Sequence, residues 1–485
     1  MLAALACSAA ALSESAANKL KADIQAAIDS IANVSGYAFS VGYHDATASF
    51  GVGAGSRSPN GLKPFVPGTV GPTDSFLLGS GTKPFTAAAV MRLVDRGKVS
   101  LDDLASDHID AVMQRLNGTS MVGLFGDDAK SVTVGQLLSM QSGIGDYDVK
   151  SFDDPLLAQG NSVHSVFEPL YAVGAFSSPN GCDPNHGQYC TFVCNPGKCT
   201  EYSSTNYILL GLLLLAHAPA GQQTVQTFDQ LAALGLSPQD YPNTATPTQG
   251  ALHKVGLTVG GDSQYFGSPT ELYTQDASIL GWTCGNVAAS AHDTARFYYE
   301  LLGRRSIVSQ HSLKTMATTS TISRGWESGE IDYGYGLMIQ NVSPKNARSK
   351  ADPAAAGSYL GHAGDTYAFM SDNGFFPALN ASISVISNED FDPRFPTYVV
   401  TCKVVELVYA ALGSPVDLKC LSATPLTYFC HKSIFGSQCV PSSHGGVDKA
   451  TCDATCSKAD AVEEATPLPS PALVWRKHAP LAMAE

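Results

Sequence analysis

The most informative stretch of this chain is Phe76-Leu77-Leu78-Gly79-Ser80-Gly81-Thr82-Lys83-Pro84-Phe85-Thr86-Ala87-Ala88-Ala89-Val90. Pro84 suits the first turn of a helix, and apolar residues recur after it at helical spacing. Ser80 is therefore expected at a helix N-terminus, with Lys83 one turn further on the same face. Burial is expected to lower the pKa of Lys83 so that the amine can activate a Ser80 nucleophile. The pattern Ser-x-x-Lys alone also fits an N-cap serine followed by a solvated lysine.

The neighbouring segments strengthen the catalytic interpretation. Working outward from Ser80, they are Gly97-Lys98-Val99-Ser100-Leu101-Asp102-Asp103 and Val134-Gly135-Gln136-Leu137-Leu138-Ser139-Met140-Gln141-Ser142-Gly143-Ile144. Together with the Ser80 stretch they resemble the serine β-lactamase-like family, most of all class C β-lactamases, DD-peptidases and β-lactamase-fold esterases. The resemblance spans roughly residues 20–412 and implies a serine hydrolase that needs no cofactor.

The second catalytic element of that family, Tyr-x-Asn, has a counterpart at Tyr202-Ser203-Ser204, just before Ile208-Leu209-Leu210-Gly211. The resemblance implies that the Tyr202 phenol relays protons between Ser80 and the leaving group. Ser204 stands where the family usually has Asn, so recognition of a substrate amide by a carboxamide is lost there. The alternative for Tyr202 is a core aromatic residue.

The third family element resembles Gly361-His362-Ala363-Gly364-Asp365, the His-x-Gly form of an edge-strand motif. His362 would orient the substrate or stabilise charge, and Gly364 would let the backbone approach the substrate. The resemblance implies an oxyanion hole made of the backbone N–H groups of Ser80 and Asp365. Relatives favour a small residue at Asp365, and its carboxylate is expected either to oppose an oxyanion or to exclude anionic substrates. A structural histidine is the alternative for His362.

The order of the elements predicts an α/β fold. Strand character at residues 37–41, 46–52, 335–339, 368–370 and 383–386 surrounds a mainly helical stretch. We expect an antiparallel sheet built from both ends of domain 16–412 and flanked by helices, with a helical lobe inserted at about 85–325. A small disulfide-rich segment at 413–457 and a disordered tail at 458–485 should follow.

Charge and composition exclude several functions. The chain has 485 residues and a net charge of 29 − 43 = −14, and only 15% of its residues are charged. An acidic chain lacks the footprint for phosphate backbones, so nucleic acid is not an expected partner. The expected partner is a small molecule or peptide with an ester or amide bond.

Several features indicate secretion. Residues 1–15 resemble a signal peptide without its basic start, although a frayed Ala-rich helix is the alternative. Glycosylation sequons begin at Asn33, Asn117, Asn341 and Asn380. The apolar run 207–216 is too short to span a membrane.

The twelve cysteines are clustered, which favours disulfides in an oxidising compartment. Cys182, Cys190, Cys194 and Cys199 are expected to form two disulfides, with zinc as the less favoured alternative. Cys284 is the candidate for an unpaired thiol. The Cys-rich C-terminus could contact an extracellular partner.

Three functions remain open on the sequence alone. The leading one is a secreted serine hydrolase, an esterase or peptidase rather than a true β-lactamase, that forms an acyl-enzyme at Ser80. The second is a catalytically silent binding or scaffold protein of the same fold, and the third is an extracellular adhesion protein.

Overall fold

The computed structural model describes residues 12–58, 65–158, 161–176, 190–263, 270–325, 331–343, 352–389, 397–420, 428–433, 436–441 and 451. Internal contacts divide the chain into two units, Met1–Pro425 and Leu426–Glu485. This division falls later than the boundary expected after residue 412. The reason is that a Cys402–Cys420 disulfide, which the sequence analysis did not anticipate, and the buried Leu418 hold the intervening residues to the first unit.

Most of the described helices lie, in sequence, between the first and last strands of the large sheet. They are α1 (Glu14–Ser35), α2 (Lys83–Asp95), α3 (Ala105–Asn117), α4 (Met121–Phe125), α5 (Val134–Leu138), α6 (Lys150–Ala158), α7 (Phe167–Gly174), α8 (Thr205–Ala216), α9 (Gln230–Leu234), α10 (Leu252–Val255), α11 (Ala291–Tyr298), α12 (Gln310–Met316) and α13 (Thr397–Ala411).

The described strands form one sheet of eight strands, one of three and two pairs. They are β1 (Phe39–His44), β2 (Ser49–Ala54), β3 (Phe76–Leu77), β4 (Thr244–Ala245), β5 (Asp262–Ser263), β6 (Thr270–Glu271), β7 (Ala288–Ala289), β8 (Ser320–Thr321), β9 (Asp332–Tyr333), β10 (Met338–Asn341), β11 (Ser358–Thr366), β12 (Phe369–Phe376), β13 (Ala381–Ser387), β14 (Tyr428–Ser433) and β15 (Gly436–Pro441).

The large sheet joins the two ends of the domain. Its order is β2-β1-β13-β12-β11-β10-β9-β8, and β1 pairs antiparallel with β13, Val41 opposite Val385. The predicted architecture is therefore confirmed. The first two strands begin two to three residues later than expected. β11 carries the His-x-Gly motif, which the family resemblance implied for an edge strand, but it lies between β12 and β10 in the sheet. The alternation of apolar and polar residues did not identify this strand because its glycines mask the pattern.

Each face of the sheet has its own apolar core. Helices α1 and α13 cover one face, where Leu20, Ile24 and Ile28 of α1 are fully buried. Helix α11 packs on the other face so closely that a Cβ at Gly42 of β1 would lie 1.9 Å from the Ala291 carbonyl oxygen. This second face continues into the core of the helical lobe.

The inserted lobe is organised around α8. Its residues from Thr205 to Leu215 are all buried, as expected for a core helix, because leucines occupy every side of it. Among the described residues, the helices include none that is both long and apolar enough to cross a bilayer.

The C-terminal unit contains a described hairpin of β14 and β15, in which Cys430 lies opposite Cys439. Cys452, Cys456 and the predicted disordered tail lie outside the described residues, as do residues 1–11 of the signal-like segment. Residues 14 and 15 of that segment form the start of α1, which Ser13 caps.

Candidate active site

Ser80 lies in a tight helical turn, Gly79–Thr82, that leads directly into α2. Gly79 has φ +53°, and a Cβ there would lie 2.5 Å from the Asp365 carbonyl oxygen. Only glycine suits both the left-handed backbone and this close approach. The sequence thus forces the turn that carries Ser80 against the C-terminal end of β11.

Lys83 points from the first turn of α2 at the serine. Its Nζ donates to Ser80 Oγ at 2.8 Å and to Ser204 Oγ at 3.1 Å, and the side chain is fully buried. A weaker contact of 3.5 Å reaches the Cys284 carbonyl oxygen. Lys83 is therefore paired with the candidate nucleophile and is not a solvated surface lysine.

The expected lowering of the Lys83 pKa is wrong. Burial does lower it, but the electrostatic interactions of Lys83 with Tyr202, Cys284 and Asp146 and its hydrogen bond with Tyr202 outweigh burial, so the pKa is raised above its usual 10.5. In the resting protein at neutral pH, Lys83 is consequently an ammonium ion.

Tyr202 is the third member of the hydrogen-bonded group that contains Ser80 and Lys83. Its hydroxyl hydrogen-bonds to Ser80 and to Lys83, and its ring centroid lies 5.0 Å from Lys83 Nζ. Burial raises the pKa of Tyr202 above 10.0 against the opposing effect of Lys83, so the group is a neutral phenol near pH 7. Tyr202 is buried as a core aromatic would be, yet its polar end faces the serine.

β11 forms the opposite side of the site. Ala363, Gly364 and Asp365 line the same cavity as Ser80. A Cβ at Gly364 would lie 1.8 Å from the Leu78 carbonyl oxygen and 2.8 Å from Gly81 N, so the two backbones are in direct contact there. The backbone next to Ser80 therefore lies against that next to Asp365, the two residues whose N–H groups the family resemblance implies for an oxyanion hole.

His362 is placed differently from the other motif residues. Its side chain is fully buried, outside the cavity lining, and its Nε2 lies 3.3 Å from the Tyr333 hydroxyl. Burial and the Lys83 charge lower its pKa to about 3, so the imidazole is neutral. Any effect of His362 on a substrate would therefore act through Tyr202 and Tyr333, whose rings it contacts.

The cavity has a volume of about 730 Å³ and one strongly acidic part. Its lining includes Asp146, Asp148 and Asp153 from the helical lobe, none of which the sequence analysis singled out. Asp153 accepts a hydrogen bond of 2.5 Å from Tyr367, in the turn between β11 and β12. Burial raises the pKa of Asp146 to about 8. The one available signal was the position of Asp146 two residues after the Ser142–Ile144 turn.

The loop cysteines confirm part of the disulfide prediction. Cys194 and Cys199 are bonded to each other three residues before Tyr202, and Cys190 is also disulfide-bonded. Cys182 lies outside the described residues. The zinc alternative is wrong for these bonded cysteines. Cys284 is a buried free thiol, as predicted, and burial raises its pKa to about 11.

The sequence pattern of the Beta-lactamase family matches residues 24–398. The chain belongs to this family, and the resemblance noted from its motifs is confirmed. The fold is that of the serine β-lactamases and penicillin-binding proteins.

Individual relatives are distant. Protein flp of Staphylococcus aureus (strain NCTC 8325 / PS 47) is 29% identical over 143 residues, 30% of this chain and 23% of that protein. A D-stereospecific amidohydrolase from Streptomyces sp. superposes with a TM-score of 0.56 at 21% identity, covering 76% of this chain and 94% of its own. D-amino acid amidase from Ochrobactrum anthropi SV3 has a TM-score of 0.56 at 18% identity, covering 81% and 99%. These likenesses establish the fold.

Proposed function

We propose that this protein is a serine hydrolase that cleaves an ester or amide through an acyl-enzyme at Ser80. The observation that carries the proposal is the 2.8 Å contact between Lys83 Nζ and Ser80 Oγ at the wall of a large cavity. Burying the Lys83 side chain beside a serine costs desolvation free energy. A role in catalysis would explain why the protein nevertheless has this arrangement.

The proposed steps follow the contacts. After Lys83 has lost its proton to solvent, its amine accepts the Ser80 hydroxyl proton while Oγ attacks the substrate carbonyl carbon. The backbone N–H groups of Ser80 and Asp365 stabilise the oxyanion. Tyr202 then passes a proton from Lys83 to the leaving group, and water hydrolyses the acyl-enzyme in a second step.

The charges around Ser80 favour neutral substrates. The Lys83 ammonium is fully buried and already donates to two serines, while His362 is neutral. The carboxyl groups of Asp148 and Asp365 line the cavity. Because the one cation among these groups, Lys83, is buried and already donates to two serines, a substrate carboxylate would find no accessible cation among them. We therefore place esters and amides without a carboxylate ahead of penicillins and cephalosporins.

The test compares kcat/KM for a short p-nitrophenyl ester with that for a chromogenic cephalosporin at neutral pH, using Ser80→Ala as the control. The ester should be the better substrate, and Ser80→Ala should abolish its turnover. Preference for the cephalosporin would contradict the charge argument. Absence of any Ser80-dependent turnover would favour the silent binding protein.

We also propose that the protein works in an oxidising, extracellular compartment. The Cys194–Cys199 and Cys402–Cys420 bonds support this because such bonds persist where thiols are not kept reduced. Asn33, Asn117 and Asn380 are exposed and accessible to glycosylation. Asn341 is only 5% exposed and donates to Ser358 Oγ, so its sequon is blocked in the folded protein. Peptide mapping after glycosidase treatment would check these assignments.

A further inference from the structure

Asp146 lines the same cavity as Ser80, Lys83 and Tyr202, and the proposed steps of hydrolysis do not involve it. Its Oδ1 accepts backbone hydrogen bonds from Ser204 N at 2.9 Å and from Asp148 N at 3.2 Å. Within the described part of the chain, no residue hydrogen-bonds to its Oδ2. The side chain is only partly buried and lines the cavity that contains Ser80.

The turn that carries Asp146 is fixed to the segment that carries Ser204. The Gly145 carbonyl oxygen accepts from Ser203 Oγ at 3.1 Å and from Thr205 Oγ1 at 2.8 Å. Tyr147 N donates back to Thr205 Oγ1 at 3.1 Å. These bonds and the two at Oδ1 fix the position of the carboxyl group. Oδ2 is therefore held in a fixed position where it can bind a ligand.

We propose that Asp146 is a substrate-binding residue that, as a carboxylic acid, donates a hydrogen bond from Oδ2 to an amide carbonyl oxygen on the acyl side of the substrate. The neighbouring Ser204 has no carboxamide, and its hydroxyl oxygen already accepts from Lys83. The Ser204 hydroxyl keeps one O–H to donate, and Asp146 would add a second donor on the same wall. The inference rests on the proposed function and narrows it to acyl groups that contain an amide.

The protonation of Asp146 supports this role. Burial and the charge of Asp148 raise its pKa to about 8, against the opposing effect of Lys83. Below pH 8 the acid form can donate, whereas at pH 9 the carboxylate would repel a carbonyl oxygen. Donation should therefore be present at pH 7 and lost as the pH rises through 8.

Other titratable groups face Asp146 and must be separated from it. Lys83 of α2 and Tyr202 before α8 have pKa values raised above 10.5 and 10.0, and Cys284 in the turn at 282–284 has one of about 11. These three keep their protons between pH 7 and 9. The remaining titratable neighbours are the carboxyl groups of Asp148 and Asp153. The control is therefore a variant of Asp148, which lies in the same turn as Asp146.

The experiment compares two p-nitrophenyl esters, that of N-acetylglycine, which has an acyl-side amide, and that of pentanoic acid, which has none. The ratio of their kcat/KM values, corrected for spontaneous hydrolysis, is measured at pH 7 and pH 9. The ratio cancels the pH dependence of the chemical step common to both esters. Wild type, Asp146→Asn and the control Asp148→Asn are compared, with thermal unfolding as the check of folding.

In wild type the preference for the acetylglycyl ester should fall about tenfold between pH 7 and 9, the usual effect of losing one such hydrogen bond. Asp146→Asn keeps an oxygen for the two backbone donors and always has an N–H to donate, so its ratio should stay at the pH 7 value. Asp148→Asn should still lose preference with pH. A constant wild-type ratio, or an Asp146→Asn ratio that falls like wild type, would overturn the inference alone. Absence of Ser80-dependent turnover of both esters would overturn the proposed function and the inference with it.

Discussion

The two walls of the cavity are built in different ways. The wall from the helical lobe presents side chains, since Ser80, Lys83 and Tyr202 hydrogen-bond to one another and Ser204 joins them through Lys83. The wall from β11 presents mainly backbone, because Gly364 has no side chain and His362 is turned into the core.

This difference indicates where a substitution should matter. On the helical wall the proposed chemistry depends on the identity of each side chain. On the strand wall we expect it to depend on how close the backbone lies to Ser80, and we expect the side chain of Asp365 to act through its charge. Substitutions on the two walls should therefore differ in their effects, and the largest effect is expected on the helical wall.

Lys83→Met should reduce acylation at least about a thousandfold, because no other described side chain that touches Ser80 Oγ is a comparable base. The rate of p-nitrophenol release in single-turnover experiments measures it. The matched control is Lys98→Met on an exposed surface position, which should change little. A Lys83→Met rate within about tenfold of wild type would exclude Lys83 as the base.

The pH profile should show that Lys83 starts as an ammonium ion. For a base whose pKa is raised above 10.5, the deprotonated fraction increases about tenfold with each unit of rising pH below that value. The kcat/KM for a neutral ester should therefore rise about a hundredfold from pH 7 to 9, without a plateau. A plateau near neutral pH would show that the resting amine is already neutral.

Gly364→Ala should damage the strand wall, because the new Cβ would lie 1.8 Å from the Leu78 carbonyl oxygen. Overpacking of this kind costs about 1–3 kcal/mol of folding free energy, and the displaced Asp365 N–H should lower esterase activity at least about tenfold. Gly71→Ala is the control, since its Cβ would meet only Asp74 Oδ2 at 3.8 Å. Equal melting temperatures and activities for the two variants would refute the close approach.

Asp365→Asn should have the smallest effect. It removes one negative charge from the cavity lining and should raise kcat/KM for a chromogenic cephalosporin roughly threefold to fivefold, within about 1 kcal/mol. The neutral ester should be turned over at nearly the wild-type rate. His362 is the less suitable position for this test, because its side chain is fully buried. Asp29→Asn on the exposed side of α1 controls for net charge.

Much of the fold could be predicted because its determinants are local. The helical spacing after Pro84, the all-apolar run of α8 and the alternation in β13 each identify an element, and the motif order supplied the topology. The positions of Ser80, Lys83 and Tyr202 could be proposed from the same motifs, and the structure brings them together.

The rest depended on contacts between distant segments. Asp146 contacts Ser204 across 58 positions of sequence, and its place just after the Ser142–Ile144 turn does not by itself predict that contact. The Lys83 pKa was predicted from burial alone, whereas its direction is set by Tyr202, Cys284 and Asp146, which only the fold brings near. The Cys402–Cys420 disulfide was not predicted because the composition of the chain changes between the two cysteines, so that they were assigned to different segments.

The central claim is that Ser80 is a nucleophile activated by Lys83. The most direct measurement is covalent labelling by a fluorophosphonate, with intact-protein mass spectrometry of wild type, Ser80→Ala and Lys83→Met. We predict one label on wild type, located at Ser80 by peptide mapping, none on Ser80→Ala and at most a trace on Lys83→Met. Equal labelling of wild type and Ser80→Ala, or no labelling of folded wild type, would contradict the account.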